Sequence, residues 1–546
     1  HCATRVAQQA AAARRALQKP APTLSIIAGM GANEELLFVA ALGPHAPMTA
    51  RSGTHLLSPR TAAERRRTPS LVDVDLDPAQ QAAVALSEEH ALLVLGEAGH
   101  GKTTVLLHRV ARLWHEAGRR RDGVIVVPTE GLVRLIRPVL RRMGVDIAMM
   151  SFDAFANKQA RRCFRRLPRE SESTPPSVMR LKRSPALRVA LDEIASRRPG
   201  TIDDDTDAPV RPRKTSANVT RGDLQHLFGD RVLMQRVAHE ASLPAFVVDD
   251  VLERTRVQFS ATTERAWSHV TDRKRLVAVD GRPLDEGTAT EHATTVDVED
   301  YAVLFELDRM RAQRSGAEPK APRTFDLIAI DEAQELAPLE LALLGRSLSP
   351  RGALIVSGDA DQHTDETSTF QGWDSVMRDL GAVDHTTVTL GIGYRCPPEI
   401  VAIARSVRDA TGAASAPTAV FSDEGAMATA LGRDMAAVLA RDRRASIAVI
   451  CRHPLTARRL TPLLAKHVPT RLVFDGRFLA RGPVQVSIVS ETKGLEFDYV
   501  IVPDASAVTW PDDAASRRSM YVAITRARHQ VVFACAGGAA PTPLLG

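Results

Sequence analysis

The run Gly96-Glu97-Ala98-Gly99-His100-Gly101-Lys102-Thr103 has the spacing G-x-x-x-x-G-K-T, with Thr104 behind it. Glycines at those positions let backbone N–H groups turn inward around phosphate oxygens. Lys102 is then placed to reach terminal phosphates, and the Thr103 hydroxyl to ligate Mg²⁺. A loop of this kind needs a strand before it and a helix after it. Leu92-Leu93-Val94-Leu95 is an apolar run leading in, and residues 103–115 read as a helix. The second half of such a site is an acidic strand end. Leu327-Ile328-Ala329-Ile330 runs straight into Asp331-Glu332-Ala333-Gln334. Asp331 would hold Mg²⁺ through water, and Glu332 would act as the base that polarises the attacking water. Two acids at a strand end are by themselves commonplace. Paired with a phosphate loop they describe a nucleotide hydrolysis site at the carboxyl edge of a parallel sheet.

The elements that must carry this chemistry are short β-branched runs without polar alternation, which suit parallel strands buried on both faces. Val124-Ile125-Val126-Val127 and Leu354-Ile355-Val356 belong with the first two. Ala448-Val449-Ile450, Val486-Ser487-Ile488-Val489, Tyr499-Val500-Ile501-Val502 and Val531-Val532-Phe533 form a later set. Between residues 156 and 322 the texture changes to Arg-rich helical stretches and polar loops. The chain has 546 residues with 44% hydrophobic and 25% charged side chains, enough for several folded cores. Its net charge of +6 permits a polyanionic partner without requiring one. The cysteines (Cys2, Cys163, Cys396, Cys451 and Cys535) show no C-x-x-C pair, so zinc ribbons, iron–sulfur clusters and disulfide frameworks lack their ligands. No uncharged apolar run reaches the roughly 18 residues of a membrane span. A cytoplasmic protein without membrane contact is expected.

Further motifs, in order along the chain, give a resemblance. Leu76-Asp77-Pro78-Ala79-Gln80 precedes the phosphate loop. Gly358-Asp359-Ala360-Asp361-Gln362, Gly393-Tyr394-Arg395, Thr492-Lys493-Gly494-Leu495-Glu496-Phe497 and Tyr521-Val522-Ala523-Ile524-Thr525-Arg526-Ala527 follow it. The series resembles the UvrD/Rep-like superfamily 1 helicases, and within them the helicase IV/HelD branch. The resemblance covers about residues 71–155 and 325–540. It implies that Gln80 reads adenine, Tyr394 stacks on it and Glu496, beside Gly494, binds ribose. It also implies that Gln362, Arg395 and Arg526 contact the γ-phosphate. ATP and Mg²⁺ are the implied cofactors.

The fold implied is α/β, two RecA-like P-loop cores with parallel sheets, a helical insertion in the first core and an N-terminal extension. Residues 1–70 are expected as extension and linker, 71–155 and 323–387 as the first core, and 156–322 as the insertion. Residues 388–546 are expected as a second core with a reduced accessory subdomain. The activity implied is ATP-dependent 3′→5′ movement on single-stranded DNA or a 3′-tailed duplex, in the setting of DNA repair. The alternative is a HelD-like ATPase that remodels RNA polymerase. The sequence departs from the family after Gln362, where His363-Thr364-Asp365-Glu366 replaces an aromatic segment. Phe152, Phe370 and Trp373 are the candidate DNA-stacking residues.

Overall fold

The described chain begins with β1 (Met48–Thr49), followed by α1 (Pro78–Ala85), β2 (Ala91–Leu95), α2 (Lys102–Glu116), β3 (Gly123–Val127), α3 (Glu130–Arg142) and β4 (Ala148–Ser151). A mainly helical stretch comes next, with α4 (Phe152–Cys163), β5 (Arg169–Glu170), α5 (Pro176–Lys182), α6 (Leu187–Ser196), α7 (Arg221–Gly229), α8 (Arg231–Glu240), α9 (Phe246–Phe259), β6 (Thr295–Val296) and α10 (Glu299–Ser315). The first core resumes with β7 (Phe325–Ile330), α11 (Pro338–Arg346), β8 (Leu348–Gly358), α12 (Trp373–Asp379) and β9 (His385–Thr389). The second core holds α13 (Pro398–Asp409), β10 (Thr418–Phe421), α14 (Glu424–Arg441), β11 (Ile447–Cys451), α15 (Pro454–Leu464), β12 (Thr470–Leu472), β13 (Val484–Ile488), β14 (Phe497–Val502), α16 (Ala514–Thr525) and β15 (Ala527–Ala536). This computed structural model describes residues 48–49, 55–61, 75–118, 121–197, 219–260, 271, 293–394, 396–474, 476–479 and 481–546.

Two parallel sheets organise the molecule, in the orders β4-β3-β7-β8-β2-β9 and β1-β10-β15-β14-β11-β13-β12. Side chains alternate across each strand. Leu92, Val94, Ile125, Val127, Leu327 and Ala329 face one core, whereas Leu93, Val124, Val126, Ile328 and Ile330 face another. Apolar packing on both faces is why these strands read as unbroken apolar runs. The second sheet repeats the pattern, with Ala448, Ile450, Val500 and Val502 on one side and Val449, Cys451, Tyr499 and Ile501 on the other. Parallel pairing aligns Leu95 with Gly358 and with Thr389, and Ile330 with Val356. The ends of β2, β7 and β8 therefore deliver their following loops to one edge.

Two expectations need correction. Val388 and Thr389 pair with Val94 and Leu95, so the first sheet runs two positions past the expected boundary at 387. Part of the expected N-terminal linker belongs to the second core. Met48 and Thr49 pair with Ala419 and Val420 at the sheet edge, and Leu57 is buried in the apolar cluster of Met427, Leu431 and Val449. Arg60 reaches Asp498 at 2.5 Å and Asp442 at 2.7 Å, and its backbone N–H donates to the Tyr499 hydroxyl at 2.9 Å. A guanidinium seated between two buried carboxylates anchors a segment whose composition alone suggests a spacer. The rest of the expected extension lies outside the described residues. Among the described residues no helix is long and apolar enough to cross a membrane.

Candidate active site

The turn after β2 closes on Gly101, the N-cap of α2, whose φ of 85° lies in the left-handed region. A Cβ there would stand 2.5 Å from Gln80 Nε2, so the position is doubly reserved for glycine. Lys102 follows, buried, its Nζ donating to the Gly96 carbonyl at 2.7 Å and the Glu97 carbonyl at 3.1 Å. The same ammonium is 3.8 Å from Asp359. Thr103 donates its hydroxyl to Asp331 Oδ2 at 2.7 Å, while Thr104 is buried. Glu97 accepts from Arg405 at 2.9 Å and Arg408 at 3.0 Å. Burial works against its ionised form, yet these two guanidinium groups hold its carboxyl low.

At the end of β7, Asp331 is almost wholly buried. Burial first, and then the Glu332 charge, pushes its carboxyl up, against hydrogen bonds from Ser357 and Thr103 and the Lys102 charge. Ser357 donates at 2.6 Å to the Asp331 oxygen that Thr103 does not use. Glu332 has a φ of 56°, a left-handed conformation unusual outside glycine, and so carries backbone strain of order 1–3 kcal/mol. Gln334 donates to Glu332 at 2.6 Å and accepts from the Asp359 N–H at 3.1 Å, fixing the acid to the loop after β8. The Thr103 hydroxyl and Asp331 carboxylate form an adjacent pair of hard oxygen donors. That set fits Mg²⁺, which takes few protein ligands alongside phosphate oxygens.

Gln362 donates to Asp359 at 2.8 Å, and its amide oxygen accepts from a guanidinium nitrogen of Arg526. Arg526 comes from the other core. It caps α16 and is oriented by the Val522 carbonyl at 3.1 Å and the Leu495 carbonyl at 3.3 Å. Ala98, Gly99, Gly101, Lys102, Thr103, Glu332, Gln362, Gly494 and Arg526 line one narrow cleft of about 20 Å³. That is room for little more than one water. Gly494 has a φ of 69°, and a Cβ there would meet Leu132 at 2.8 Å. Glu496 instead accepts from Arg528 at 2.7 Å. Arg395 lies outside the described residues.

At the far end of the loop, Gln80 is buried and donates to the His100 carbonyl at 3.2 Å. His100 Nδ1 bonds the Leu390 carbonyl at 2.7 Å. Tyr394, about half exposed, donates its N–H to the Gly99 carbonyl at 3.1 Å. The aromatic candidates fare differently. Phe152 is buried and packs on Phe155 at 6.3 Å between ring centroids, so it is core and not a stacking platform. Phe370 and Trp373 pack edge to face at 5.0 Å, with the Trp373 ring against Gly358. Both rings are partly buried against the first core. Ser357, Gln334 and Asp359 are site residues that motif spacing did not assign. Gln334 and Asp359 stand inside the quoted motifs, which was the available signal.

Residues 76–130 match the UvrD/REP helicase N-terminal domain and residues 484–534 the UvrD-like helicase C-terminal domain. Among solved structures, the C-terminal domain of a possible DNA helicase from Lactobacillus is similar at 24% identity, with a TM-score of 0.24, over 28% of this chain and 93% of that one. No curated protein matches.

Proposed function

We propose that this chain, a UvrD-like helicase by both of its matched segments, is an ATP-driven motor that moves 3′→5′ along single-stranded DNA. The carrying observation is that Arg526 of the second core meets Gln362 of the first at the mouth of the phosphate loop. Phosphoryl transfer passes through a loose transition state whose charge lies on the equatorial oxygens. Lys102 supplies positive charge from one core and Arg526 from the other. Glu332, held by Gln334, takes the proton of the attacking water. Thr103 and Asp331 would hold Mg²⁺, which when bound neutralises phosphate charge. Because the cationic partners sit on different cores, hydrolysis depends on their closure, and turnover becomes relative motion.

Polarity follows from the family resemblance, as do the adenine roles of Gln80 and Tyr394. Between residues 396 and 484 the described elements all serve the second core, from α13 to β13. Among the described residues no separate body of the roughly 50 residues a domain needs is inserted there. Unaided opening of long duplexes should accordingly be weak. ATP hydrolysis with and without single-stranded DNA tests the reading, followed by strand displacement on 3′- and 5′-tailed duplexes. Strong stimulation and a 3′ preference support it. Hydrolysis indifferent to DNA but raised by RNA polymerase would replace it with the remodelling alternative.

A further inference from the structure

Asp77 sits where three elements meet. As the N-cap of α1 it accepts the Gln80 N–H on one carboxylate oxygen at 2.9 Å, and the Gln80 side-chain oxygen takes the Asp77 N–H at 3.3 Å. Its other oxygen accepts the Tyr394 hydroxyl at 2.7 Å, from 317 positions away in the chain. The backbone of Tyr394 is pinned separately to Gly99, and the amide of Gln80 to His100. One carboxylate therefore ties together the phosphate loop's two flanking groups, a buried amide and a tyrosine ring.

Capping explains only half of this arrangement. Serine, threonine or asparagine would cap α1 about as well, through a single oxygen. The second oxygen does nothing for the helix and is spent on a ring that remains 53% exposed. A phenol anchored at its hydroxyl and at its backbone, and half exposed, is preorganised for stacking on a planar base.

We propose that Asp77 is a positioning residue for the nucleotide base, holding the Tyr394 ring at a fixed orientation opposite Gln80. The proposal rests on the adenine reading of Gln80 and Tyr394 given above. Without the Asp77 bond the ring is free to rotate, and binding must order it anew. The loss falls on KM, because stacking on the base is the same in the ground state and the transition state.

The test is steady-state hydrolysis of ATP and GTP by the full chain and by Asp77→Ser, Tyr394→Phe, their double variant and Gln80→Ala. Asp77→Ser retains a capping oxygen but cannot reach Tyr394. Tyr394→Phe removes the same bond from the other side and leaves α1 untouched. Each single variant should raise KM for both nucleotides about three- to tenfold, the worth of one hydrogen bond. The effect on kcat should stay within about twofold. The double variant should be no worse than either single one, since both remove one shared interaction. Asp77→Asn, which caps and can still bond the hydroxyl, should recover most of the loss. Additive effects, unchanged KM, or a loss confined to kcat would overturn the proposal. Gln80→Ala separates the two levels. If it leaves the ATP-to-GTP ratio unchanged, the adenine reading fails and the proposal with it. If it narrows that ratio while Asp77→Ser and Tyr394→Phe leave KM unchanged, only the positioning role fails.

Discussion

Arg526 and Gln362, 164 positions apart, are hydrogen-bonded across the two cores, and both side chains are buried. The arginine that would stabilise transferring phosphate is thus already in contact with the glutamine beside it. Arg526→Ala should lower kcat for ATP roughly 10²–10³-fold, the usual cost of one transition-state charge contact. Glu332→Gln should bind ATP and fail to turn it over. Nucleotide binding by a fluorescent ATP analogue, measured beside phosphate release, checks both. Undiminished turnover in either variant would remove these residues from the chemistry.

Arg162, Arg165 and Arg166 project from the end of α4 and the loop after it, all three exposed. If they grip the backbone of a single strand, affinity should fall steeply with salt and depend little on base sequence. Replacing all three with Glu should flatten a plot of log affinity against log salt by about two units of slope, at roughly 0.7 per phosphate contact for single strands. An unaltered slope would make them an ordinary solvated face.

The helical insertion holds a buried ionic cluster. Lys182 contacts Asp297 at 2.8 Å and Asp300 at 2.7 Å, and Arg254 contacts Asp297 at 2.8 Å. Glu299 lies beside it, accepting from Thr174 at 3.1 Å. Burial first, then the Asp297 and Asp300 charges, push its carboxyl from an ordinary value near 4.5 to about 7, despite Lys182. The folded state therefore binds this proton more tightly than the unfolded chain does. Its contribution to stability is intact below about pH 4.5 and is lost as pH rises through about 7, a penalty of about 3 kcal/mol at high pH. Glu299→Gln should raise stability to urea at pH 8 and leave it nearly unchanged at pH 5. Equal effects at both values would contradict the assignment.

What could be read without coordinates was local chemistry. The phosphate loop is eight consecutive residues whose glycines, lysine and threonine each have one physical purpose, and its strand and helix adjoin it. Parallel sheets were legible because strands such as β3, buried on both sides, cannot alternate. Phe152 misled because an aromatic at a strand–helix junction reads the same whether it faces solvent or Phe155. Ser357 was invisible, since its role exists only through the bond to Asp331 from the neighbouring strand. The segment around Arg60 reads as a spacer in the sequence because its partners, Asp442 and Asp498, lie some 380 to 440 positions away.

That anchored segment has a mechanical consequence. Met48, Thr49 and Arg60 contact the second core while α1 and β2 belong to the first, so the chain crosses from one core to the other once before α1 and again after Thr389. Two bodies joined by one connector can swivel freely. Joined at two points, they have fewer ways to move apart than two bodies on a single connector. For the proposed motor, a double crossing means that relative motion of the cores must be taken up at both connections rather than at one.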